Sequence, residues 1–172
     1  MKEINSDIQI YVACLASYNN GILHGGWIDA CQTADDIRYA IHDILKTSPI
    51  EGAEEYAIHD HEGFEGVWIR EYEDIDYIAK LAAFLEEHGE LGGKLVEYFG
   101  DIETAEEALS DRYHGEFKSL SEFAENLTEE TTEVPGNLRF YIDYEAMGRD
   151  LAISDVIAIE TGFEAVHVFW SC

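Results

Sequence analysis

The sequence predicts an α+β protein organised as an elongated chain of three small domains. Strand-like runs rich in β-branched and aromatic residues lie near both ends, whereas the middle carries apolar residues at helical spacing. The 172 residues carry a formal net charge of -27, and an elongated shape spreads this charge and reduces self-repulsion. The predicted domains are an α+β domain with an antiparallel sheet (1–66), a helical domain (67–105) and an α+β domain (106–172).

The N-terminal section is predicted to contain three strands and one helix. The runs IQIYVACLAS and ILHGGWIDA flank the turn signal NNG and therefore predict a β-hairpin. Thr33 has the position of an N-terminal cap for a helix whose apolar residues recur on one face. The alternating segment EEYAIHDHE predicts the third strand.

The central section is predicted to be helical throughout. From Asp74 onward, apolar residues recur at 3.6-residue spacing as far as Gly89, which is placed to end the helix. The segments ELGGKLVEYFG and ETAEEALSDRYHG predict a second and a third helix.

The C-terminal section is predicted to combine two helices with a hairpin. Ser119 and the glutamate three residues later have capping-box spacing at the start of SLSEFAENLTEE. A further helix is predicted from about Asp143. The apolar runs DVIAIE and AVHVFW, joined through a Thr-Gly turn, predict a closing β-hairpin.

The composition excludes several classes of protein. Apolar residues make up 47% of the chain, which is enough to form a core and excludes a disordered chain. Cys14, Cys31 and Cys172 show neither metal-ligand nor CxxC spacing, which indicates reduced thiols. The sequence has no signal-peptide pattern and no apolar run of bilayer length. We therefore expect a cytoplasmic protein with no membrane partner.

Acidic residues are the anomaly of the composition. Asp and Glu number 37 against 10 Lys and Arg, although charged residues in total are an ordinary 27%. Residues 54–76 carry nine carboxylates and a single basic residue, Arg70. A surface built only for solubility would mix both signs. The missing bases therefore indicate a functional polyanion.

Two predicted helices carry their acids in columns. Glu122, Glu125 and Glu129 share the face opposite the apolar stripe, in a column about 10 Å long at 1.5 Å per residue. The preceding helix repeats this arrangement at positions 103, 107 and 111. Like charges at this spacing destabilise a helix by about 0.2–0.5 kcal/mol per pair. One such column is typical of a solvated face, but repetition over several elements favours a binding surface.

The charge has the scale of a short DNA duplex. Because B-DNA carries one negative charge per roughly 1.7 Å, the charge of one chain corresponds to about 46 Å of duplex and that of a dimer to about 92 Å. The carboxylates predicted to stand in for phosphates are Asp60, Glu62, Glu65, Glu71, Glu73, Asp74, Asp76, Glu86, Glu87, Glu103, Glu106, Glu107, Asp111, Glu116, Glu122, Glu125 and Glu129.

A dimer interface is predicted in the closing hairpin. The hairpin has more apolar side chains than one covered face needs, and the surplus indicates a partner surface. Its predicted interface residues are Val156, Ile157, Ile159, Val166, Val168, Phe169 and Trp170.

No catalytic, metal or cofactor site is predicted. His59 and His61 lie on one side of a predicted strand, but no third metal ligand is marked. The segment DHEGFEGVWIRE lacks the glycine and the fifth-position ligand of a calcium loop. No nucleophile elbow, P-loop or dinucleotide fingerprint is present, and no pair of carboxylates is singled out for acid-base chemistry.

The aromatic residues are predicted to pack in the core or against a partner. Stacking on bases would bring phosphates close to the acids with few cations to balance them, so no direct binding of nucleic acid is expected. The residues in question are Tyr11, Trp27, Tyr56, Trp68, Tyr72 and Tyr77.

Three segments carry a family resemblance. In chain order, YVACLASYNNGILHGGWIDA, SDRYHGEFKSLSEFAENL and YIDYEAMGRDL resemble the ArdA antirestriction proteins of mobile genetic elements. The resemblance implies an elongated three-domain monomer that dimerises through its C-terminal part and imitates bent duplex DNA. It also implies a target, since such proteins occupy the DNA groove of type I restriction-modification enzymes and so protect incoming DNA.

The leading hypothesis is thus a non-catalytic decoy of DNA. The alternative is an acidic binding module for another basic DNA-binding or regulatory protein. Halophilic adaptation also predicts excess acid, but Glu outnumbers Asp and the large apolar residues are undiminished. An ordinary domain that happens to be acidic is the remaining alternative.

Overall fold

Helices and small antiparallel sheets share the chain, which confirms the α+β class. The computed structural model describes residues 7–171. The strands are β1 Gln9–Cys14, β2 Gly25–Asp29, β3 Tyr56–Glu62, β4 Tyr113–Phe117, β5 Val156–Gly162 and β6 Ala165–Trp170. The α-helices are α1 Leu15–Asn19, α2 Ala34–Lys46, α3 Ile75–Phe99, α4 Ile102–Glu107, α5 Leu120–Thr131 and α6 Tyr144–Ser154. A π-helical turn, Ala108–Arg112, and a 3-10 turn, Arg139–Tyr141, complete the elements.

The chain divides into two compact units, with the boundary after Glu97. The first unit contains β1 to β3 and most of α3, and the second contains α4 to β6. The division into three domains stays a prediction.

The sheet of the first unit has the strand order β2-β1-β3, and all its pairs are antiparallel. This confirms the predicted hairpin and third strand, although the end of the first predicted strand folds into α1. Tyr11 pairs with Asp60 and Val12 with Ile58, so His59 is an extra residue in β3. Such a β-bulge bends a strand and re-aims the side chains beside it.

Helices α2 and α3 contribute their apolar faces to the core of the first unit. Thr33 caps α2 as predicted, since its hydroxyl oxygen accepts from the backbone N–H of Asp36 at 3.1 Å. Ile37 and Ile41 of α2 are buried. Helix α3 is interrupted at Gly89, whose φ of 57° and ψ of -140° are not helical, as its predicted role as a terminator requires.

The sheet of the second unit has the order β4-β6-β5 and includes a strand that the sequence did not predict. Residues 113–115 were predicted to end the third central helix, but they belong to β4, which pairs with β6. The helix ends at Arg112, where the Nη1 group donates to the carbonyl of Ser171 at 3.0 Å. A partner about fifty residues away in sequence thus overrides the local helical pattern.

Helices α5 and α6 cover this sheet and pack closely together. Helix α6 begins after Asp143, close to its predicted start, and the Asp143 carboxylate caps it by accepting from the backbone N–H of Ala146 at 3.0 Å. A Cβ added at Gly148 would lie 2.7 Å from the carbonyl oxygen of Leu120, so only glycine allows this approach. Phe123 is fully buried against Val168 in the core beneath the helices.

Most of the side chains predicted to form a dimer interface lie in this core. Ile157 and Trp170 are half-buried, whereas the others are buried within their own unit: Val156, Ile159, Val166, Val168 and Phe169. Most of the apolar side chains of the hairpin are therefore buried within their own chain. A dimer interface at this hairpin stays a prediction.

Candidate functional site

The carboxylates predicted to bind a partner lie on the surface, with two exceptions. Within residues 7–171, Glu73 is buried and Glu122 is half-buried, whereas the rest of the predicted set is exposed. The exposed members lie on β3, on the β3–α3 loop (residues 63–74), on α3, on α4 with its π-helical turn, on β4 and on α5. Each of the two units thus presents carboxylates to solvent.

Glu73 does not belong to this surface. Glu73 is only 7% exposed. Its carboxylate accepts hydrogen bonds from the Nη2 and Nε groups of Arg70 at 2.8 and 3.0 Å. The hydrogen bond from Arg70 holds the pKa of Glu73 below its ordinary value. A carboxylate removed from water needs such a partner. The one base of residues 54–76 is therefore bonded to a buried carboxylate and stabilises the loop.

Other ion pairs neutralise little of the acidic surface. Arg38 contacts Asp76 at 2.6 Å and Asp35 at 3.3 Å, and all three side chains are largely solvent-accessible. Lys94 lies 3.9 Å from Glu90. Exposed pairs of this kind contribute less than about 1 kcal/mol. They fix local geometry while most of the negative charge remains.

The two predicted acidic columns differ in regularity. Glu103 and Glu107 lie one turn apart on α4, but Asp111 lies in the π-helical turn that follows. Because a π-helical turn holds more residues than an α-helical one, the angular position of Asp111 differs from the one that a continuous α-helix would give it. The acids at 122, 125 and 129 lie within one α-helix, α5, as predicted.

The first acid of the α5 column also begins the helix. The Ser119 hydroxyl oxygen accepts from the N–H of Glu122 at 3.1 Å, and the Glu122 carboxylate accepts from the N–H of Lys118 at 2.6 Å. The predicted cap is confirmed, with the return bond made one residue earlier than in the usual capping box. Glu122 therefore has a structural role beside any role in binding.

An acidic cavity of about 410 Å³ lies beside α5. Glu125 and Glu129 line it together with Glu133, and Arg139 and Tyr144 complete its polar wall. The fold thus gathers carboxylates from α5 and from the segment that follows it around one basic side chain.

A second cavity, the Trp68 cleft, has a volume of about 490 Å³ and lies beside β3 and the β3–α3 loop. Trp68 is 76% exposed although its neighbours Val67 and Ile69 are buried. From the sequence, Trp68 was predicted to pack in the core or against a partner. Its outward direction could have been predicted because it lies between two apolar residues, Val67 and Ile69, and neighbouring side chains of an extended segment point to opposite sides. The cleft is lined by Tyr18, Ile58, His59, Asp60, His61, Trp68, Ile69 and Glu71.

The described part of the chain offers neither a metal cluster nor a membrane span. No group of three or more His, Cys, Asp or Glu side chains in it is arranged to hold a metal ion. None of its helices combines the length and the apolar character that crossing a bilayer requires.

Comparison with known proteins decides the family. The family model described as "Antirestriction protein (ArdA)" matches residues 10–165, which is most of the chain. The chain belongs to the ArdA family of antirestriction proteins. Curated protein sequences gave no match.

The segments that carry the ArdA resemblance lie mainly on elements that build the fold. YVACLASYNNGILHGGWIDA covers most of β1 and all of α1 and β2, and SDRYHGEFKSLSEFAENL covers β4 and the first part of α5. YIDYEAMGRDL contains Asp143, which caps α6, and Gly148, which allows α6 to approach Leu120. These three segments therefore mainly build the fold, while the acids are distributed along the whole chain.

Proposed function

We propose that this ArdA protein is a non-catalytic mimic of duplex DNA that occupies the DNA-binding groove of a type I restriction-modification enzyme. Its exposed carboxylates take the positions of phosphates, and incoming mobile DNA escapes cleavage because the groove is filled. The observation that carries the proposal is the surface described above, where exposed acids on both units outnumber nearby bases. Family membership supplies the link to restriction.

The charge of the protein supports a DNA-binding groove as its binding partner. A surface with a formal chain charge of -27 is attracted to clusters of Lys and Arg and repelled by phosphate. Such complementarity raises the association rate and directs the protein to DNA-binding surfaces. We therefore propose that the protein binds no nucleic acid itself.

The proposal includes a homodimer formed through the second unit. Strand β5 lies at one edge of the β4-β6-β5 sheet, and an edge strand offers unpaired backbone groups to a second chain. Ile157 on β5 and Trp170 on β6 keep part of their surface within the described structure. A dimer would double the length of the acidic array.

Competition with DNA tests the proposed function. A labelled duplex bound to a type I enzyme is titrated with the protein, and fluorescence anisotropy reports the bound fraction. We expect displacement whose midpoint rises in proportion to the DNA concentration. Poly-glutamate at equal carboxylate concentration is the control for charge without fold, and it should displace DNA less effectively.

Three results would contradict the proposal. Inhibition that is independent of DNA concentration would place the binding site outside the groove. Direct binding of the labelled duplex by the protein would exclude a phosphate mimic. Equal displacement of DNA from an unrelated basic DNA-binding protein would favour the alternative of a general acidic binding module.

A further inference from the structure

The Trp68 cleft combines an exposed aromatic ring with carboxylates on a fixed loop. Trp68 is exposed while Phe64, Val67 and Ile69 on either side are buried and anchor the loop. A large aromatic side chain held in water by a rigid segment loses the burial that usually stabilises it. Its position therefore indicates a contact that forms only when a partner binds.

Several bonds hold the loop in place behind the indole. The N–H of Ile58 in β3 donates to the carbonyl of Glu71 at 2.8 Å. The buried carboxylate of Glu73 also accepts from the backbone N–H of Arg70 at 3.3 Å, in addition to its bonds with the guanidinium. On the other side, a Cβ added at Gly93 would lie 2.7 Å from the carbonyl oxygen of Glu65. The ring is thus presented by a segment tied to both β3 and α3.

The opposite wall of the cleft is built by the bulge in β3. Since His59 is the extra residue of this bulge, the strand bends where Asp60 also lines the cleft. The His59 ring packs edge-on against Tyr18, with centroids 4.9 Å apart, and its Nε2 atom lies 3.7 Å from Oε1 of Glu71. Acidic and aromatic groups therefore face one space.

The chemistry of the cleft matches a guanidinium group. A guanidinium is flat, stacks on aromatic faces and carries donors in the geometry that carboxylates accept. Tryptophan is the best aromatic partner for a cation, and arginine is its most frequent one. In the part of the chain described, no Lys or Arg lines this cleft, whereas Asp60 and Glu71 do. A phosphate or nucleotide would be repelled by the same carboxylates.

We propose that the Trp68 cleft receives an arginine side chain of the protein partner, with the indole as stacking surface and Asp60 and Glu71 as acceptors. This inference rests on the proposed function, because it takes the occupant from a basic DNA-binding groove. The contact between Trp68 and the arginine would contribute more binding energy than any one of the many charge interactions around it, as aromatic hot-spot residues do in other interfaces.

Hexa-arginine and hexa-lysine peptides of equal charge provide the direct probe. Their affinities for the full chain and for each variant are measured by isothermal titration calorimetry at fixed ionic strength, and in the wild type the shift of the Trp68 indole N–H signal in NMR spectra reports contact with the ring. We expect hexa-arginine to bind roughly three to ten times more tightly than hexa-lysine. Trp68→Leu should remove the preference, Trp68→Phe should reduce it, and Tyr39→Leu, at another exposed aromatic residue, should leave it unchanged. Equal affinities, or a preference that persists in Trp68→Leu, would overturn the inference.

Paired neutralisations test the acceptors. Asp60→Asn with Glu71→Gln should weaken hexa-arginine binding several-fold more than Glu51→Gln with Glu54→Gln, which removes the same charge from exposed residues that do not line the cleft. Equal losses in the two double variants would mean that net charge alone attracts the peptide. That result would overturn the assignment of Asp60 and Glu71.

Assays of restriction separate this inference from the proposed function. If wild-type protein inhibits a type I enzyme and Trp68→Leu inhibits equally well, the cleft inference fails while the proposed function stands. If the arginine preference depends on Trp68 but wild-type protein does not compete with DNA, the arginine site stands and the proposed function fails. A change from dimer to monomer in Trp68→Leu would show that a second copy of this chain covers the indole, and would also overturn the inference.

Discussion

At the scale of single residues, acidic side chains have different roles within one short segment. Glu71 and Asp74 are exposed, whereas Glu73 between them is buried and bonded to Arg70. Sequence spacing alone cannot make this distinction, because it depends on how the β3–α3 loop turns back toward Arg70. Two members of the predicted set therefore have structural roles, Glu73 in the loop and Glu122 at the start of α5, while the binding role of the exposed acids stays a prediction.

Protonation of Glu73 should destabilise the protein. Its folded-state pKa lies below the ordinary 4.5 because Arg70 bonds the charged form, so its stabilising contribution is complete above 4.5 and is lost as pH falls through the folded pKa. Glu73→Gln should cost about 1–2 kcal/mol at pH 7, a value reduced by the exposure of Arg70. Urea unfolding at several pH values from 7 to 3 should show that the difference in unfolding free energy between wild type and Glu73→Gln becomes smaller as the pH falls. Glu54→Gln, at an exposed position, is the control. If the cost of Glu73→Gln did not change with pH, the stabilising role of the charged Glu73 carboxylate would be contradicted.

Gly148 should tolerate no side chain. The added Cβ of Gly148→Ala would lie 2.7 Å from the Leu120 carbonyl oxygen and 3.1 Å from its Cβ, so α5 and α6 would have to separate. We expect a loss of about 1–3 kcal/mol in thermal or urea unfolding. Gly136→Ala is the matched control, since a Cβ added at Gly136 would have no neighbouring atom within 4 Å. Equal stability of the two variants would show that the helices do not meet closely at Gly148.

At the scale of elements, the sequence predicted those features that depend on residues close together in the chain. The caps at Thr33 and Ser119, the start of α6 near Asp143 and the break at Gly89 were predicted because each depends on residues within one turn. Strand β4 was missed because its partner, β6, is distant in sequence. The Trp68 cleft was missed for a related reason, since a bulge in β3 and a loop beyond it must come together to form it.

The acids of α5 should oppose the helix that carries them. Glu125 and Glu129 are both exposed and lie four residues apart on α5, a spacing at which like charges repel. A double-mutant cycle of Glu125→Gln and Glu129→Gln, followed by urea unfolding, should give a repulsive coupling of about 0.2–0.5 kcal/mol. An attractive coupling would indicate that the two carboxylates share a cation, with Arg139 in the same cavity as the candidate.

At the scale of the whole molecule, the proposed mimicry of DNA needs a long acidic array, which two copies of the chain would supply. Sedimentation velocity at micromolar concentration should show a homodimer. Ile157→Asp should shift it toward monomer, because a charge would enter the edge at which we propose that two chains meet. Leu23→Asp, at an exposed position of the first unit, should leave the dimer intact. A wild-type monomer would contradict the proposed dimer and halve the length of the array.

Graded neutralisation tests most directly whether surface carboxylates act as phosphates. Inhibition of a type I enzyme is measured as acids are replaced by their amides, singly and then cumulatively, while thermal stability is followed in parallel. The series uses Glu103, Glu107, Asp111, Glu122, Glu125 and Glu129. Each single replacement should cost less than about 1 kcal/mol of binding, and inhibition should weaken progressively as charges are removed. Abolition of inhibition by any one replacement, or full inhibition after all six, would contradict the account.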